Sequence, residues 1–245
     1  MENRQTALIT GGGTGIGRAV ALRLAAQGVD LVINYSRSAR EAEETAAEIK
    51  KAGGECLVVQ ADVADDAQVR SLVDSAVRRF GRLDYLVNSA GVTRFVDAAD
   101  LDGLKSEYWD DIMAVNVKGL FFACRAAAPH LRKTGGAIVN ITSIAGLTGK
   151  GSSIAYAASK AAAISVTKSL AQILAPAVRV NSVAPGIVLT RWCDGREDHV
   201  RRLGGSTPLG RCCSADDVAE VVVPLLLSAA MITGQTVVVD GGATL

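Results

Sequence analysis

The sequence predicts an α/β fold, a doubly wound, Rossmann-type parallel sheet of about seven strands with helices on both faces. Three observations carry this prediction. Short apolar runs alternate with segments of helical period along the chain. The first run breaks into a glycine cluster that opens a helix. Later runs end in small or polar residues, as do strands whose carboxyl ends line a ligand crevice. With 245 residues, 49% of them hydrophobic, the chain can bury one large core and needs no linker.

Thr6 to Thr10 forms the first strand and meets Gly11-Gly12-Gly13-Thr14-Gly15-Ile16-Gly17. Ile16, Val20 and Leu24 then recur at helical spacing as far as Gly28. Such a turn lets backbone approach a pyrophosphate at a helix N-terminus, where free N–H groups and the helix dipole favour anions. Gly11, Gly13, Thr14, Gly15, Ile16 and Gly17 are therefore candidate cofactor contacts, although a tight turn alone would use the same glycines. Their spacing, Gly-x-x-x-Gly-x-Gly, departs from the Gly-x-Gly-x-x-Gly of most dinucleotide folds. Leu31 to Tyr35 is the second strand, followed by Ser36-Arg37-Ser38 and a helical segment from Ala39 to Ala52. A carboxylate at this strand end would bind ribose hydroxyls and repel a 2′-phosphate. Ser36, Arg37 and Ser38 instead offer hydroxyls and a guanidinium, which selects NADP(H) and leaves NAD(H) as the alternative if Arg37 is only a surface cation.

Cys56 to Gln60 is the third strand, closing on Asp62-Val63, and Asp62 serves either the adenine edge or its own turn. Val69, Leu72, Val73, Ala76, Val77 and Phe80 mark a helix ending at Gly81. Leu83 to Val87 is the fourth strand, and Asn88-Ser89-Ala90-Gly91 supplies small residues where a strand end passes beneath a nucleotide. A long helical pattern runs from Ser106 to Lys133 with Asn116 buried inside it, as a tether or as part of a site.

Ala137 to Ile141 is the fifth strand, with Thr142-Ser143 at its carboxyl end. Gly146, Gly149 and Gly151 give a flexible approach to the helix carrying Tyr156 and Lys160. Residues four apart share a helix face, and a cation near a phenol lowers its pKa from ~10 by ~1–3 units. Val178 to Val183 is the sixth strand. Beyond it an irregular substrate-loop segment at about 187–213 holds Arg191, Arg196, Arg201, Arg202 and Arg211 against Asp194, Glu197 and Asp198, with Trp192 as its aromatic. Ser214 and Asp217 form a capping-box pattern for a helix running to Leu227, and Gln235 to Val239 is the last strand.

Lys plus Arg (26) and Asp plus Glu (25) nearly cancel, so nothing recommends nucleic acid or a membrane surface as partner. Met1-Glu2-Asn3-Arg4 lacks a signal-peptide pattern, and the apolar stretch Val218 to Ala230, broken by Glu220 and Pro224, is too short to span a bilayer. A cytoplasmic protein is expected. Cys56, Cys124, Cys193, Cys212 and Cys213 show no Cys-x-x-Cys spacing, and only His130 and His199 could join them, so no metal site is expected. Cys56 and Cys124 read as core, Cys212-Cys213 as partly exposed, and His130 as a cap or surface group.

Thr10-Gly11-x-x-x-Gly15-Ile16-Gly17, Asp62, Asn88-x-Ala90-Gly91, Asn116, Ser143, Tyr156-x-x-x-Lys160, Asn181, Pro185-Gly186 and Thr190 together resemble the short-chain dehydrogenase/reductase family over essentially the whole chain. Ser89 departs from the second Asn usual there. The resemblance implies that residues 1–245 are a single dinucleotide-binding catalytic domain. It implies hydride transfer to a carbonyl carbon while Tyr156 protonates an oxygen held by Ser143. Lys160 would lower the Tyr156 pKa, bind the nicotinamide ribose and pass protons on through water near the Asn116 backbone. Asp62, Val63, Asn88, Ala90, Gly91, Pro185, Gly186, Val188 and Thr190 would border the cofactor. The chain is most similar to 3-oxoacyl-[acyl-carrier-protein] reductases, implying a ketone or secondary alcohol substrate, including a thioester on acyl carrier protein or CoA. A sugar, steroid or other small-alcohol dehydrogenase using NAD(H), and a non-catalytic NADP(H)-sensing module, are the alternatives. A homotetramer is implied, with the final helix, last strand and tail between subunits.

Overall fold

The computed structural model describes residues 4–191, 195 and 197–245; Trp192, Cys193, Asp194, Arg196 and the side chains of Glu197, Asp198, His199 and Arg201 lie outside the described residues. The first half alternates β1 (Thr6–Thr10), α1 (Gly15–Ala26), β2 (Asp30–Tyr35), α2 (Ala39–Lys51), β3 (Cys56–Gln60), α3 (Asp66–Phe80) and β4 (Tyr85–Asn88). One continuous helical run follows, made of α4 (Ser106–Met113), a π turn (Ala114–Gly119) and α5 (Leu120–Thr134). The remainder is β5 (Ala137–Ile141), α6 (Ala145–Thr148), α7 (Ile154–Leu174), β6 (Arg179–Pro185), α8 (Glu197–Gly205), α9 (Ala215–Leu227) and β7 (Thr236–Val239).

The seven strands form one parallel sheet in the order β3-β2-β1-β4-β5-β6-β7. Alternate strand residues feed opposite cores. Ala7, Ile9, Leu31, Ile33 and Val139 pack with α1, α2 and α9, whereas Leu8, Val32, Leu86 and Ile138 pack with α3, α5 and α7. Burial on both faces is why these strands read as unbroken apolar runs. Winding reverses between β1 and β4, which opens a crevice at the carboxyl edge.

Three local expectations change. The segment expected to be irregular contains α8, which buries Val200; its charge density and Gly204-Gly205 end hide the helical period. Of the glycines before Tyr156, Gly149 caps the short α6 at φ +72° and Gly146 lies within it, where a loose approach was expected. Gly146 is there because a Cβ would stand 2.6 Å from the backbone of Lys160 and Ala161. Cys212 and Cys213 are buried, their thiols meeting the carbonyls of Val200 and Val239. Among the described residues one helix, Ser106–Thr134, is long and apolar enough to cross a membrane by length and composition. Leu120, Ala123, Cys124, Ala127 and Leu131 on that helix pack into the core.

Candidate active site

β5 and β6 keep bonding past the end of β5. Thr142 N–H donates to Val183 O at 2.8 Å and Ile144 N–H to Pro185 O at 3.0 Å. Ser143 lies between these two bonds, held at the sheet edge, and its Oγ accepts from Ala145 N–H at 3.1 Å. Opposite it, Ser153 caps α7 by accepting from Tyr156 N–H at 3.2 Å, which fixes Tyr156 in the first turn. A hydrogen bond joins the Tyr156 and Ser143 hydroxyls. Thr93 and Ser152 pair through their hydroxyls, and Val96 N–H donates to Ser152 O at 2.9 Å, sewing the segment after β4 to this entrance.

Lys160 stands one turn behind Tyr156, with Nζ 5.6 Å from the phenol ring centre and donating to Ile141 O at 2.9 Å. Burial lowers its pKa to about 8, and burial raises that of Tyr156 to about 12 against the opposing pull of Ser143. The expectation that the lysine acidifies the phenol is therefore corrected. The ammonium is aimed at a carbonyl, and desolvation of the phenolate outweighs it.

The Lys160 shift has a signed consequence. Below about pH 8 the folded chain carries a buried charge at full cost; between about 8 and the ordinary 10.5 the folded lysine is neutral while the unfolded chain still binds the proton, so stability rises with pH. Lys160→Met is accordingly expected to exceed wild type in stability at pH 7 by on the order of 2 kcal/mol, with the gap closing towards pH 10. Denaturant titrations at both pH values check this; a gap independent of pH refutes it.

Asn116 sits in the π turn and is buried. Its Nδ2 donates to Val92 O and Ser159 Oγ, each at 3.0 Å, and its Oδ1 accepts from Val92 N–H at 2.9 Å. Ser159 in turn donates to Tyr156 O at 2.7 Å. The Asn116 side chain is thus the tether of the two readings, joining the β4 loop to the Tyr156 helix.

Ser143, Tyr156 and Lys160 occupy one end of a cleft of about 620 Å³ along the carboxyl edge. Gly11, Gly13, Thr14, Gly15 and Ile16 line it from the glycine turn; Ser36, Arg37, Ser38, Asp62 and Val63 from the ends of β2 and β3; Ala90 and Gly91 from that of β4. Ser143, Tyr156, Lys160, Pro185, Gly186, Val188 and Thr190 complete it. Asp62 also serves its own turn, accepting from Ala64 N–H at 2.9 Å. Asn34 staples the glycine turn to the end of β3, accepting from Gly11 N–H at 3.4 Å and donating to Ala61 O at 2.9 Å. Arg37 is exposed and makes no hydrogen bond or ion pair among the described residues.

Asn116, Asn88 and Gly17 are turned into the fold instead. Asn88 Nδ2 donates to Asn140 Oδ1 at 2.9 Å, and Asn140 Nδ2 donates to Thr167 Oγ1 at 2.9 Å, a polar ladder beneath the cleft. A Cβ on Gly17 would lie 2.4 Å from Gly11 O, so that glycine serves the close packing of α1 on the turn. Asn181 likewise ties β6 to the approach of β7, donating to Ile232 O at 2.7 Å. Arg191, Gln68 and Val92 also line the cleft and were not singled out for it by the sequence. Only the crossing of the chain after β6 brings Arg191 there. No cluster of His, Cys, Asp and Glu able to hold a metal occurs among the described residues.

A family model described as Enoyl-(Acyl carrier protein) reductase matches residues 11–244. A Streptomyces violaceoruber protein named ketoacyl reductase 2 of the granaticin polyketide synthase is 46% identical over 246 residues, covering 98% of this chain and 96% of that protein. The 3-oxoacyl-[acyl-carrier-protein] reductase FabG of Staphylococcus aureus strain Mu50 is 39% identical over 246 residues, covering 99% of each. Among solved structures, a short chain dehydrogenase from Burkholderia cenocepacia in complex with NADP superposes with a TM-score of 0.90 at 38% identity, covering 99% of this chain and 98% of that one.

Proposed function

The chain belongs to the short-chain dehydrogenase/reductase family and is an oxidoreductase of that type; from this premise we propose that it is an NADP(H)-dependent ketoreductase acting on 3-oxoacyl thioesters carried by acyl carrier protein or CoA. The observation that carries the reading is the Tyr156 hydroxyl bonded to Ser143, with Lys160 one turn behind, at one end of a cleft whose other end offers Ser36, Arg37 and Ser38.

The residues present fit a phosphorylated dinucleotide. In the glycine turn, Gly15 has φ +53° and its missing Cβ faces Thr190 alone, at 3.4 Å, so the backbone can be approached closely. Arg37 is a cation with no competing partner among the described residues. Such a cofactor, when bound in its reduced form, supplies a hydride to the carbonyl carbon.

The chain's own part is proton chemistry. A phenol held near pKa 12 is neutral at pH 7 and stands ready to donate to a carbonyl oxygen. Ser143 orients that oxygen through a second hydrogen bond. Lys160, with a pKa near 8, exchanges protons readily at physiological pH and can restore the phenol after each turnover. Asn116 positions the Tyr156 helix against the loop at Val92.

The same reading takes residues 1–245 as one catalytic domain and the segment at 187–213 as its substrate loop. The buried thiols of Cys56, Cys124 and Cys213 support a reducing, cytoplasmic setting. Exposed Met231, Ile232, Val238 and Leu245 near the end of the chain support assembly, as a homotetramer, through that face.

Purified protein is expected to oxidise NADPH when given 3-oxoacyl thioesters, followed by nicotinamide absorbance. Simple sugars, steroids and 2-enoyl thioesters complete the panel, and faster turnover of any of these moves the assignment to that class. No turnover with any carbonyl, alongside tight NADPH binding, would instead select the cofactor-sensing module.

A further inference from the structure

β6 lies four places from β2 in the sheet, roughly 19 Å at ~4.8 Å per strand. Arg191 is six residues on from Pro185, a reach of about 20 Å when extended. The chain leaving β6 uses this reach to turn back across the strand ends. Thr190 comes against Gly15, and Arg191 continues to the bank formed by β2 and α2. There Arg191 Nη2 donates to Ser38 Oγ at 2.9 Å, and Nη1 stands 3.8 Å from Glu41 Oε1.

Two guanidiniums from opposite ends of the sheet therefore line the cleft around one serine. Neither is committed. Arg37 has no partner among the described residues, and the Arg191–Glu41 pair is long and half exposed, a pairing that contributes little in water. The Ser38 hydroxyl is neutral and can accept from the one while donating to a ligand.

We infer that Arg191 is a second reader of the phosphate on the adenosine ribose, acting with Arg37 across Ser38. The inference rests on the NADP(H) reading and adds a specificity-determining residue to it. A phosphate monoester carries between one and two negative charges at neutral pH and favours a guanidinium on each side. Glu41 sharpens the effect. With Arg191 in place its carboxylate is compensated; with Arg191 removed it faces the phosphate as a like charge. One short peptide thus serves both ends of the cleft, with Pro185 bonded to Ile144 beside Ser143 and Arg191 at the ribose end.

Calorimetric titration at low salt separates the possibilities, using NADPH, NADH, 2′,5′-ADP and ADP as ligands. Arg191→Ala is expected to weaken NADPH and 2′,5′-ADP about tenfold while leaving NADH and ADP within about twofold. Adding Glu41→Gln to Arg191→Ala should return about a threefold part of the loss. Equal loss for NADPH and NADH, or no loss for either, overturns the role of Arg191. Arg37→Ala distinguishes the two levels. If it discriminates between the cofactors while Arg191→Ala does not, only the present inference falls. If wild type binds 2′,5′-ADP no better than ADP and Arg37→Ala is neutral, the NADP(H) reading falls with it.

Discussion

Tyr156→Phe is expected to lower carbonyl reduction by ~10²–10⁴-fold while leaving NADPH affinity within about twofold. The substitution keeps the ring and removes one hydroxyl, the partner of Ser143 and the proton donor of the proposed reaction. Since the phenol is held near 12, the neutral donor form is present throughout the neutral range, and the reductive rate of wild type should not fall until Lys160, which resupplies the proton, is itself lost as a donor near pH 8. Oxidation of the alcohol needs the opposite form, so that rate should climb about tenfold per pH unit across the same range. Initial rates in both directions from pH 6 to 9, for wild type and the variant, test the assignment. A variant within tenfold of wild type would remove Tyr156 from the chemistry.

Asn116→Leu is expected to cost the fold ~3–4 kcal/mol. Val92 loses partners for both its N–H and its carbonyl at a half-buried junction, and Ser159 loses a donor in the core. Each unsatisfied buried group costs ~1–3 kcal/mol. Asn116→Asp keeps an acceptor for Val92 N–H but sets a buried carboxylate against the Val92 carbonyl, so a loss at least as large is expected. Urea midpoints of the three proteins decide it, and a loss below about 1 kcal/mol for the leucine variant would show that the loop finds other partners.

Much of this molecule is legible without coordinates. Ala137–Ile141 is a strand with the boundaries its apolar run suggests, because burial along its whole length leaves Asn140 as its one polar residue, and Cys56–Gln60, less buried at the sheet edge, also keeps its expected bounds. The capping box of Ser214 and Asp217 likewise forms as its spacing requires. What escapes the sequence depends on direction rather than residue type. Asn88 and Asn116 have the composition of ligand contacts, yet which way an amide points follows from neighbours on other elements, here Asn140 on β5 and Ser159 on α7. Gly17 looks like its fellow glycines in the turn, but only the crossing of α1 over Gly11 shows that it faces protein. The Tyr156–Lys160 spacing places both groups correctly and misjudges their titration, since helical period carries no information about desolvation. Arg191 was legible only as a loop cation, because the backtracking of the chain after β6 leaves no mark in local pattern.

The π turn at Ala114–Gly119 bears on how this helix tolerates change in length. A π turn holds one residue more than the ordinary turn it replaces, so deleting a single codon there would let the helix close as regular α without rotating its two halves. Ile112 before it and Leu120, Ala123 and Cys124 after it would keep their inward faces. The amide at 116 would swing off its station. The extra residue is thus a detachable insertion in an otherwise complete core helix, and the link between the loop at Val92 and the Tyr156 helix can be lost or gained by one small genetic step that leaves the rest of the packing intact.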